Sequence, residues 1–282
     1  MSVQPILEAD VDSVGLFLHE HLNKRIAAAT WSQSLRHRWA ATQPNYGMQL
    51  LADDGQRVGV LLAVYSDQII DGKLEQFCNP HSWFVLDSHR HASINLVLAV
   101  IKQRGYHFTM FTPNPKVAQV FAGLRFKLLD DGLYYFPNLP RPWPSAGTFV
   151  ESHREQIADR LQGAARAEFD AHRDIPWLEF VAFGRPGDAC LAIYKRGRWK
   201  KMACAMLSHV SDPAAMARHG HLLRAHLLGC GMPVSRIESR FLASAPPLAY
   251  RTKRTQPKLV STRTLGDGQV RDVYSELMAL DL

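Results

Sequence analysis

The sequence is poor in cysteine and contains no long hydrophobic run. Its four cysteines, Cys78, Cys190, Cys204 and Cys230, lie far apart and match no metal-binding or redox spacing. Three of them lie in apolar surroundings and are expected to be buried thiols. The apolar runs are too short to span a bilayer, and the first residues lack the basic and apolar segments of a secretory leader. We therefore expect a cytoplasmic protein without membrane contact.

Motifs of several common classes are also missing. The chain contains no Walker loop, no zinc-finger spacing and no HExxH helix. Its 13 histidines include the pairs His89/His91 and His219/His221, but side chains two residues apart point to different sides of a helix and chelate poorly. We therefore expect no bound metal.

What the sequence does contain is typical of a globular protein. Its 282 residues are 46% hydrophobic and 21% charged, which predicts one or two domains. The net charge of +7 is uneven, because residues 1–150 hold 13 Lys and Arg against 12 Asp and Glu, whereas residues 151–282 hold 20 against 14. A basic surface in the second half would attract a phosphorylated ligand, an acidic carrier protein or nucleic acid; the alternative is a solvated basic face.

The first half alternates strands and helices, which indicates an α/β fold. Two apolar runs flank Asp53–Gln56, whose Asp-Gly pair is a strong hairpin signal. Asn114 and Pro115 are typical of the first residues of a helix. Residues 126–129 and 133–136 are expected to form a second hairpin around Asp130–Gly132. Two helical faces are expected to pack against one sheet, with the strand Trp83–Leu86 at its centre. Those faces are Ile94, Val97, Leu98 and Ile101, and Val117, Val120, Phe121 and Leu124.

A segment rich in proline separates the two halves. Residues 138–147 hold three prolines and a glycine, which predicts a linker. In the second half we predict a long helix over about residues 151–172, strands at 177–183, 189–194 and 199–208, a helix at 213–228 and a strand at 236–242. The second half thus repeats the order hairpin, strand, helix and strand of the first half. We therefore predict a diverged duplication, with domains at 1–137 and 151–282 joined by a linker at 138–150.

The stretch from Val85 to Asn95 predicts a strand, a short loop that contains Arg90, and a helix. Free N–H groups at the start of a helix point at an anion, so this order builds an anion-binding loop. The loop resembles the pyrophosphate loop of the acyl-CoA N-acyltransferase family with the GNAT fold, which reads Arg/Gln-x-x-Gly-x-Gly/Ala. Arg90 matches that pattern, and Ser93 and Asn95 replace its two glycines.

The resemblance extends over residues 3–136 and includes a second motif. Asn114 and Phe126 match, whereas Phe121 replaces the tyrosine that often protonates the departing thiolate, and Arg125 replaces a glycine. A thiolate needs little acid assistance, because the pKa of its thiol is about 8.5. The resemblance implies that CoA is bound by Phe84, Val85, Leu86, Arg90, His91, Ala92, Ser93, Ile94, Asn95 and Asn114.

The reaction also needs a base, because the attacking amine must lose a proton. In the family a base often lies at the start of the central strand, where this chain has Glu75 and His81. Cys78 lies between them as a conceivable nucleophile, although a buried thiol is the simpler interpretation. Glu75 and His81 are therefore the predicted catalytic residues.

Basic segments in the second half leave a different function open. Residues 195–201 read KRGRWKK, and residues 251–254 with Lys258 form a second basic run. Basic residues with stacking aromatics hold nucleic acid, but one tryptophan is a small stacking surface. Lysines at a strand edge also prevent aggregation.

Together these features predict an α/β protein of two GNAT-like domains, each a mixed, mostly antiparallel sheet flanked by helices. The resemblance implies an enzyme that transfers an acyl group from acyl-CoA, or from acyl carrier protein, to an amine of a small molecule or sugar, without a metal. The alternatives are a non-catalytic GNAT-like binding or scaffold protein and, less favoured, a nucleic-acid-binding accessory protein.

Overall fold

The fold comes from a computed structural model, which describes residues 1–140 and 146–281. Within these residues the strands are numbered in chain order. They are β1 (Ser2–Pro5), β2 (Gly47–Leu51), β3 (Arg57–Ile70), β4 (Lys73–Val85), β5 (His107–Met110), β6 (Lys127–Leu128), β7 (Gly132–Pro137), β8 (Phe149–Glu151), β9 (Glu179–Arg185), β10 (Asp188–Trp199), β11 (Met202–Val210), β12 (Val234–Glu238), β13 (Tyr250–Lys253) and β14 (Leu259–Ser261).

Helices connect and flank these strands. The α-helices are α1 (Val11–His21), α2 (Ala28–Leu35), α3 (Ser93–Ile101), α4 (Pro115–Gly123), α5 (Arg154–Arg160), α6 (Gly163–His172), α7 (Pro213–Gly229) and α8 (Glu276–Ala279). Short 3₁₀ helices span Glu8–Asp10, Asp87–Ala92, Ser239–Phe241 and Asp267–Gln269. Among the residues described, no helix has both the length and the apolarity needed to cross a bilayer.

The strands form two seven-stranded mixed sheets, which confirms the predicted fold class. One sheet has the order β1-β2-β3-β4-β5-β14-β6, and the other has β8-β9-β10-β11-β12-β7-β13. In both, all neighbours are antiparallel except the fourth and fifth strands, which are parallel (β4 with β5, and β11 with β12). The two sheets therefore share the same pairing pattern, and the diverged duplication stays a prediction.

Each compact unit is assembled from separated parts of the sequence. Unit 1 comprises residues 1–129, 256–265 and 274–282, and unit 2 comprises residues 130–255 and 266–273. These units differ from the predicted ranges 1–137 and 151–282. The difference arises because β7 lies in the sheet of unit 2, between β12 and β13, while β14 takes the equivalent place in unit 1.

This exchange also removes a predicted hairpin. The sequence predicts that residues 126–129 and 133–136 pair with each other, but β6 pairs with β14, and β7 pairs with β12 and β13. Alternation of apolar side chains identifies a strand and its buried face, but it does not identify the partner strand. The middle of the predicted linker, residues 141–145, lies outside the described residues.

In unit 1, α3 and α4 cover one face of the sheet as the sequence predicts. Val97 and Phe121 are fully buried in the same cluster as the strand residues Tyr65 and Cys78. Asn114 caps α4, because its side chain accepts the N–H of Val117 at 2.9 Å. The predicted face of α3 is wrong at its first position: Ile94 is exposed, and the buried face consists of Leu96, Val97 and Val100.

In unit 2, one predicted element is divided. The sequence predicts a single helix over residues 151–172, but α5 ends at Arg160 and α6 begins at Gly163. Gly163 has a φ of 56°, a left-handed conformation that breaks the helix and that glycine adopts without strain. The strands and α7 that follow lie close to their predicted positions.

The exchanged strand generates a stability prediction. Leu259 of β14 is 1% exposed within the core cluster of unit 1. We expect Leu259→Ala to lower the free energy of unfolding by about 2–5 kcal/mol, because it opens a cavity in that core. Urea unfolding followed by circular dichroism measures this loss. Leu248→Ala is the control, since Leu248 is 76% exposed and should change stability by less than about 0.5 kcal/mol.

Candidate functional site

The candidate site in unit 1 begins where β4 and β5 separate. The two strands pair only at Phe77 with His107 and at Cys78 with Phe108. β4 then continues to Val85 alongside β3, while β5 stays in the sheet through β14. The sheet therefore opens on one side of β4 from residue 79 onwards.

A bulge in β4 lies beside this opening. Leu62 pairs with His81 and Val60 pairs with Phe84, so two residues of β4 stand opposite the single residue Leu61. Ser82, in the bulge, has a φ of 51°, and this left-handed conformation costs about 1–2 kcal/mol for a residue other than glycine. Because of the bulge, His81 and Phe84 face the same side of the sheet although they are three residues apart.

Asn79 bridges the opening. Its Nδ2 donates to both the carbonyl oxygen and the Oγ1 of Thr109 at 3.1 Å, and its Oδ1 accepts the N–H of Glu276 at 3.0 Å. Thr112 donates its hydroxyl to Oε1 of Glu276 at 3.0 Å. Asn79 and Glu276 are both 1% exposed. The start of α8 is therefore held at the point where the two strands separate.

His81 is buried at the bulge with incomplete hydrogen bonding. Its Nδ1 lies 3.0 Å from Oγ of Ser82, while its Nε2 has no hydrogen-bond partner within the described part of the chain. Burial lowers the pKa of His81 to about 3, because the charged imidazolium would lose its hydration. The ring is therefore neutral at pH 7 and would be a weak general base, in contrast to the role that the sequence suggests.

Glu75 does not lie near His81. The two residues are six positions apart on an extended strand, a separation of about 20 Å. Glu75 instead binds Nε2 of His107 at 2.8 Å, and Nδ1 of His107 lies 2.8 Å from Oγ1 of Thr262. These contacts join the beginnings of β4 and β5 to the end of β14. They place Glu75 at the paired end of the strands, away from the opening.

The predicted pyrophosphate loop has a compact conformation. Residues Asp87–Ala92 form a 3₁₀ helix that leads directly into α3, and the N–H of Ser93 donates to the carbonyl of Arg90. This bond uses one of the donors predicted for the anion. The side chain of Arg90 is exposed and forms an ion pair with Asp87 at 2.7 Å. His91, Ile94 and Asn95 are exposed around the same turn.

Three other predicted CoA-binding residues, Phe84, Val85 and Leu86, pack against hydrophobic side chains. Ring contacts join Phe84 to Phe17 at 6.0 Å between centroids, while Val85 and Leu86 contribute to the hydrophobic clusters. Phe121 is fully buried, and its ring contacts Trp83 edge-on at 6.5 Å. Residue 121 therefore occupies an aromatic cluster and has no proton to donate.

Cys78 has the properties of a core thiol. It is fully buried opposite Tyr65 in the packed sheet. Burial raises the pKa of the Cys78 thiol far above its usual range, so the thiolate that a nucleophile needs does not form near pH 7. Cys78 is therefore a buried core thiol and not a nucleophile.

The equivalent position in unit 2 is filled by buried ion pairs. Glu168 lies 2.8 Å from Nε2 of His209 and also pairs with Nη1 of Arg271. Burial alone would raise the pKa of Glu168, but the charges of His209 and Arg271 hold it below its usual value. Arg240 is paired in the same way with Glu238 and Asp272.

A cavity of about 60 Å³ adjoins these ion pairs, and His209, Ser211, Arg240 and Arg271 are among the residues that line it. Such a volume holds about two water molecules, whereas pockets for organic ligands are about 300–1,000 Å³. The cavity is therefore too small for an acyl-CoA.

Several residues of the site carry no recognisable signal in the sequence. Asn79, the pair Thr109 and Thr112, and Glu276 come from three separate parts of the chain, and none matches a motif. The only local signal is the density of polar residues around Cys78 on an otherwise apolar strand. In the described part of the chain, no group of three or more His, Cys, Asp or Glu side chains is placed to hold a metal ion.

Comparison with known proteins gives matches in structure alone. No family model matches the sequence, and no curated protein matches it. Among solved structures, a GCN5-related N-acetyltransferase from Anabaena variabilis ATCC 29413 superposes with a TM-score of 0.60 and 9% identity, over 92% of this chain and 72% of that one.

Two further structures agree with this match. A probable N-acyltransferase of unknown function from Enterococcus faecalis V583 has a TM-score of 0.61 and 9% identity, over 92% of this chain and 72% of that one. Eis1 from Mycobacterium abscessus has a TM-score of 0.57 and 13% identity, over 92% and 73%. The chain therefore has the GNAT fold, as its motifs predict.

The burial of His81 predicts a specific pH dependence. Between pH 3 and 6.5 the unfolded chain binds a proton at residue 81 that the folded chain does not. The free energy of unfolding should therefore fall as the pH is lowered through this window. His81→Leu should remove about 1.4 kcal/mol per pH unit of that dependence. Urea unfolding of both proteins at pH 4, 5 and 6, values chosen inside roughly that window, measures the difference. Equal slopes would show that residue 81 is not a neutral buried histidine.

Proposed function

We propose that this chain is an acyltransferase that transfers an acyl group from acyl-CoA to an amine, and that unit 1 carries the reaction. The observation that carries the proposal is the opening between β4 and β5, beside a strained bulge where Nε2 of His81 is buried and has no hydrogen-bond partner among the described residues. Such a nitrogen costs about 1–3 kcal/mol, which a bound substrate would recover. The GNAT fold supports acyl transfer as the class of reaction.

His81 would stabilise charge on the substrate. If the hydroxyl of Ser82 donates to Nδ1, the ring proton lies on Nε2, and a neutral imidazole presents an N–H donor. That donor would bind the thioester oxygen, where negative charge develops as the amine attacks. A pKa of about 3 suits this role, because the ring stays uncharged and keeps its proton on the donor nitrogen.

Glu276 would accept the proton of the amine. The amine nitrogen attacks the thioester carbon, the carbon–sulfur bond breaks, CoA leaves as the thiolate, and the amine proton passes to the carboxylate. Asn79 and Thr112 hold Glu276 at the opening through its N–H and its Oε1. The buried Phe121 is compatible with this scheme, because a thiolate leaves near neutral pH without a proton donor.

The donor would be an acyl-CoA held at the turn from β4 into α3, with acyl carrier protein as an alternative donor. Arg90 supplies the cation for the pyrophosphate, and the proposed contacts at residues 84–86, 91–95 and 114 follow from the family resemblance. The acceptor would be an amine of a small molecule or a sugar. Binding requires Arg90 to exchange its contact with Asp87 for one with phosphate.

A second candidate function is a non-catalytic binding or scaffold protein. Two observations favour it: the Trp83–Phe121 contact fills space beside β4, and the turn before α3 already uses the N–H of Ser93. Such a protein would keep the GNAT fold without transferring an acyl group. Turnover measurements separate the two functions.

If Arg90 leaves Asp87 to bind phosphate, substitutions of these two residues should have different effects on acyl-CoA affinity. Arg90→Ala should weaken acyl-CoA binding about ten- to a hundredfold, because a charge-assisted hydrogen bond to phosphate is removed. Asp87→Ala should leave the affinity unchanged or raise it, because it frees Arg90 and removes a negative charge. Isothermal titration calorimetry with acetyl-CoA and a longer acyl-CoA measures both. Equal acyl-CoA affinities of the wild type, Arg90→Ala and Asp87→Ala would show that CoA does not bind at Arg90.

The proposed chemistry predicts loss of turnover at two residues. His81→Leu should lower kcat about 10²–10³-fold because the donor is removed, and Glu276→Gln about 10²–10⁴-fold because the base is removed. CoA release is measured from acetyl-CoA and longer acyl-CoA with a panel of amines that includes amino sugars. His153→Leu and Glu20→Gln, at exposed positions, are the matched controls and should keep full activity.

A complete lack of CoA release by the wild-type protein, with melting temperatures unchanged by every acyl-CoA, would end the enzyme hypothesis. A ligand that binds the folded state must raise that temperature. Binding without turnover would favour the scaffold function instead.

A further inference from the structure

Five strands of unit 2 place one row of side chains on the same face of the sheet. Tyr250 pairs with Tyr135, Tyr135 with Arg236, Arg236 with Met206, and Met206 with Lys195. Directly opposite residues on neighbouring strands point to the same side of a sheet. The row therefore crosses β13, β7, β12, β11 and β10, and we call it the aromatic–basic row.

Aromatic rings gather at this row. The ring of Tyr135 stacks on that of Trp199, with 4.8 Å between centroids and 24° between planes. Tyr250, on the neighbouring edge strand, is 64% exposed. The sequence shows a single tryptophan in the basic segment 195–201, whereas the folded sheet adds two tyrosines from residues 135 and 250. The aromatic surface is therefore larger than the sequence indicates.

Cations surround the rings. Nζ of Lys200 lies 4.9 Å from the centre of the Trp199 ring, at the turn between β10 and β11. Lys201 and Arg236 form no ion pair with any residue in the described ranges 1–140 and 146–281. Lys195 lies over the ring of Trp177 at 6.0 Å. The row thus presents positive charge next to exposed aromatic surface.

Nearby acids are neutralised by other residues. Glu238, two positions beyond Arg236 on β12, binds Arg240 and Arg254. Glu179, at the start of β9, binds Arg196 at 3.0 Å. Unit 2 as a whole holds 19 Lys and Arg against 14 Asp and Glu, a net charge of +5. The charge around the row is therefore complementary to a polyanion.

We propose that the aromatic–basic row binds single-stranded nucleic acid. Bases would stack on Tyr250 and on the edge of the Tyr135–Trp199 pair, while Lys200, Lys201 and Arg236 contact the phosphates. Stacked aromatic rings with adjacent cations suit a chain of planar bases, because every base has a face that stacks. A polyanion without planar rings would use the cations alone. The row belongs to unit 2, whereas the opening belongs to unit 1, so the proposal does not depend on the proposed acyl transfer.

Fluorescence anisotropy with labelled oligothymidylate and oligouridylate of about 16 nucleotides tests the proposal, since such sites span about 4–16 nucleotides. Tyr250→Ala should weaken binding at least about fivefold, the effect of removing one stacked base, while Tyr250→Phe keeps the ring and the affinity. In the variant that carries both Lys200→Glu and Lys201→Glu, the slope of log affinity against log salt should become shallower. The expected change is about 0.7 for each phosphate that the protein no longer binds.

Arg185→Glu is the control for charge, because Arg185 is exposed at the opposite end of the β9–β10 hairpin in the same unit. It should keep the affinity, and circular dichroism should show all variants folded. The proposal is overturned if neither oligonucleotide binds at low salt, or if Tyr250→Ala binds as well as wild type. Alginate and polyglutamate serve as polyanions without planar bases. The proposal is also overturned if they compete with the oligonucleotides at equal concentration and if Tyr250→Ala changes the affinity for neither polyanion nor oligonucleotide. That result would identify a surface that binds any polyanion.

Discussion

Asn79 makes the hydrogen bonds that hold the candidate site together. β4 and β5 separate after two paired residues, and buried backbone groups beside such an opening must find other partners. The amide of Asn79 reaches Thr109 on one side and the N–H of Glu276 on the other, and these groups are buried with it. Without this bridge, the opening would leave polar groups of two strands and a helix start unsatisfied. The position of Glu276 depends on the same side chain.

The bulge at Ser82 and the burial of His81 both lower the stability of the fold. The two residues are adjacent in β4. A left-handed residue in a strand, and an imidazole nitrogen that accepts or donates no hydrogen bond within residues 1–140 and 146–281, persist only where the surrounding packing enforces them. Such costs gather at functional sites, because a pre-organised donor saves reorganisation when charge develops on a substrate. These two costly features therefore indicate a functional site more strongly than the altered loop at Arg90 does.

The two units share a sheet topology but differ in what fills the space beyond their parallel strands. In unit 1 the space adjoins the amide of Asn79 and the carboxylate of Glu276. In unit 2 it contains ion pairs among Glu168, His209 and Arg271 around a cavity of about 60 Å³. Buried ion pairs need their partners, so a substrate could enter only by breaking them. Unit 2 instead presents its exposed aromatic and basic face, which suits binding better than catalysis.

Features with local signals can be predicted from the sequence: the hairpin around Asp53–Gln56, the helix capped by Asn114, and the order of strands and helices that gives the GNAT fold. Periodicity and capping act within a few residues, so they can be read without the fold. Other features depend on long-range contacts: the exchange of β7 and β14, the contact of Glu276 with Asn79 across 197 residues, and the row formed by Tyr135 and Tyr250. A strand's pattern shows which face is buried but not which strand lies beside it, because pairing depends on chain segments that meet only after folding.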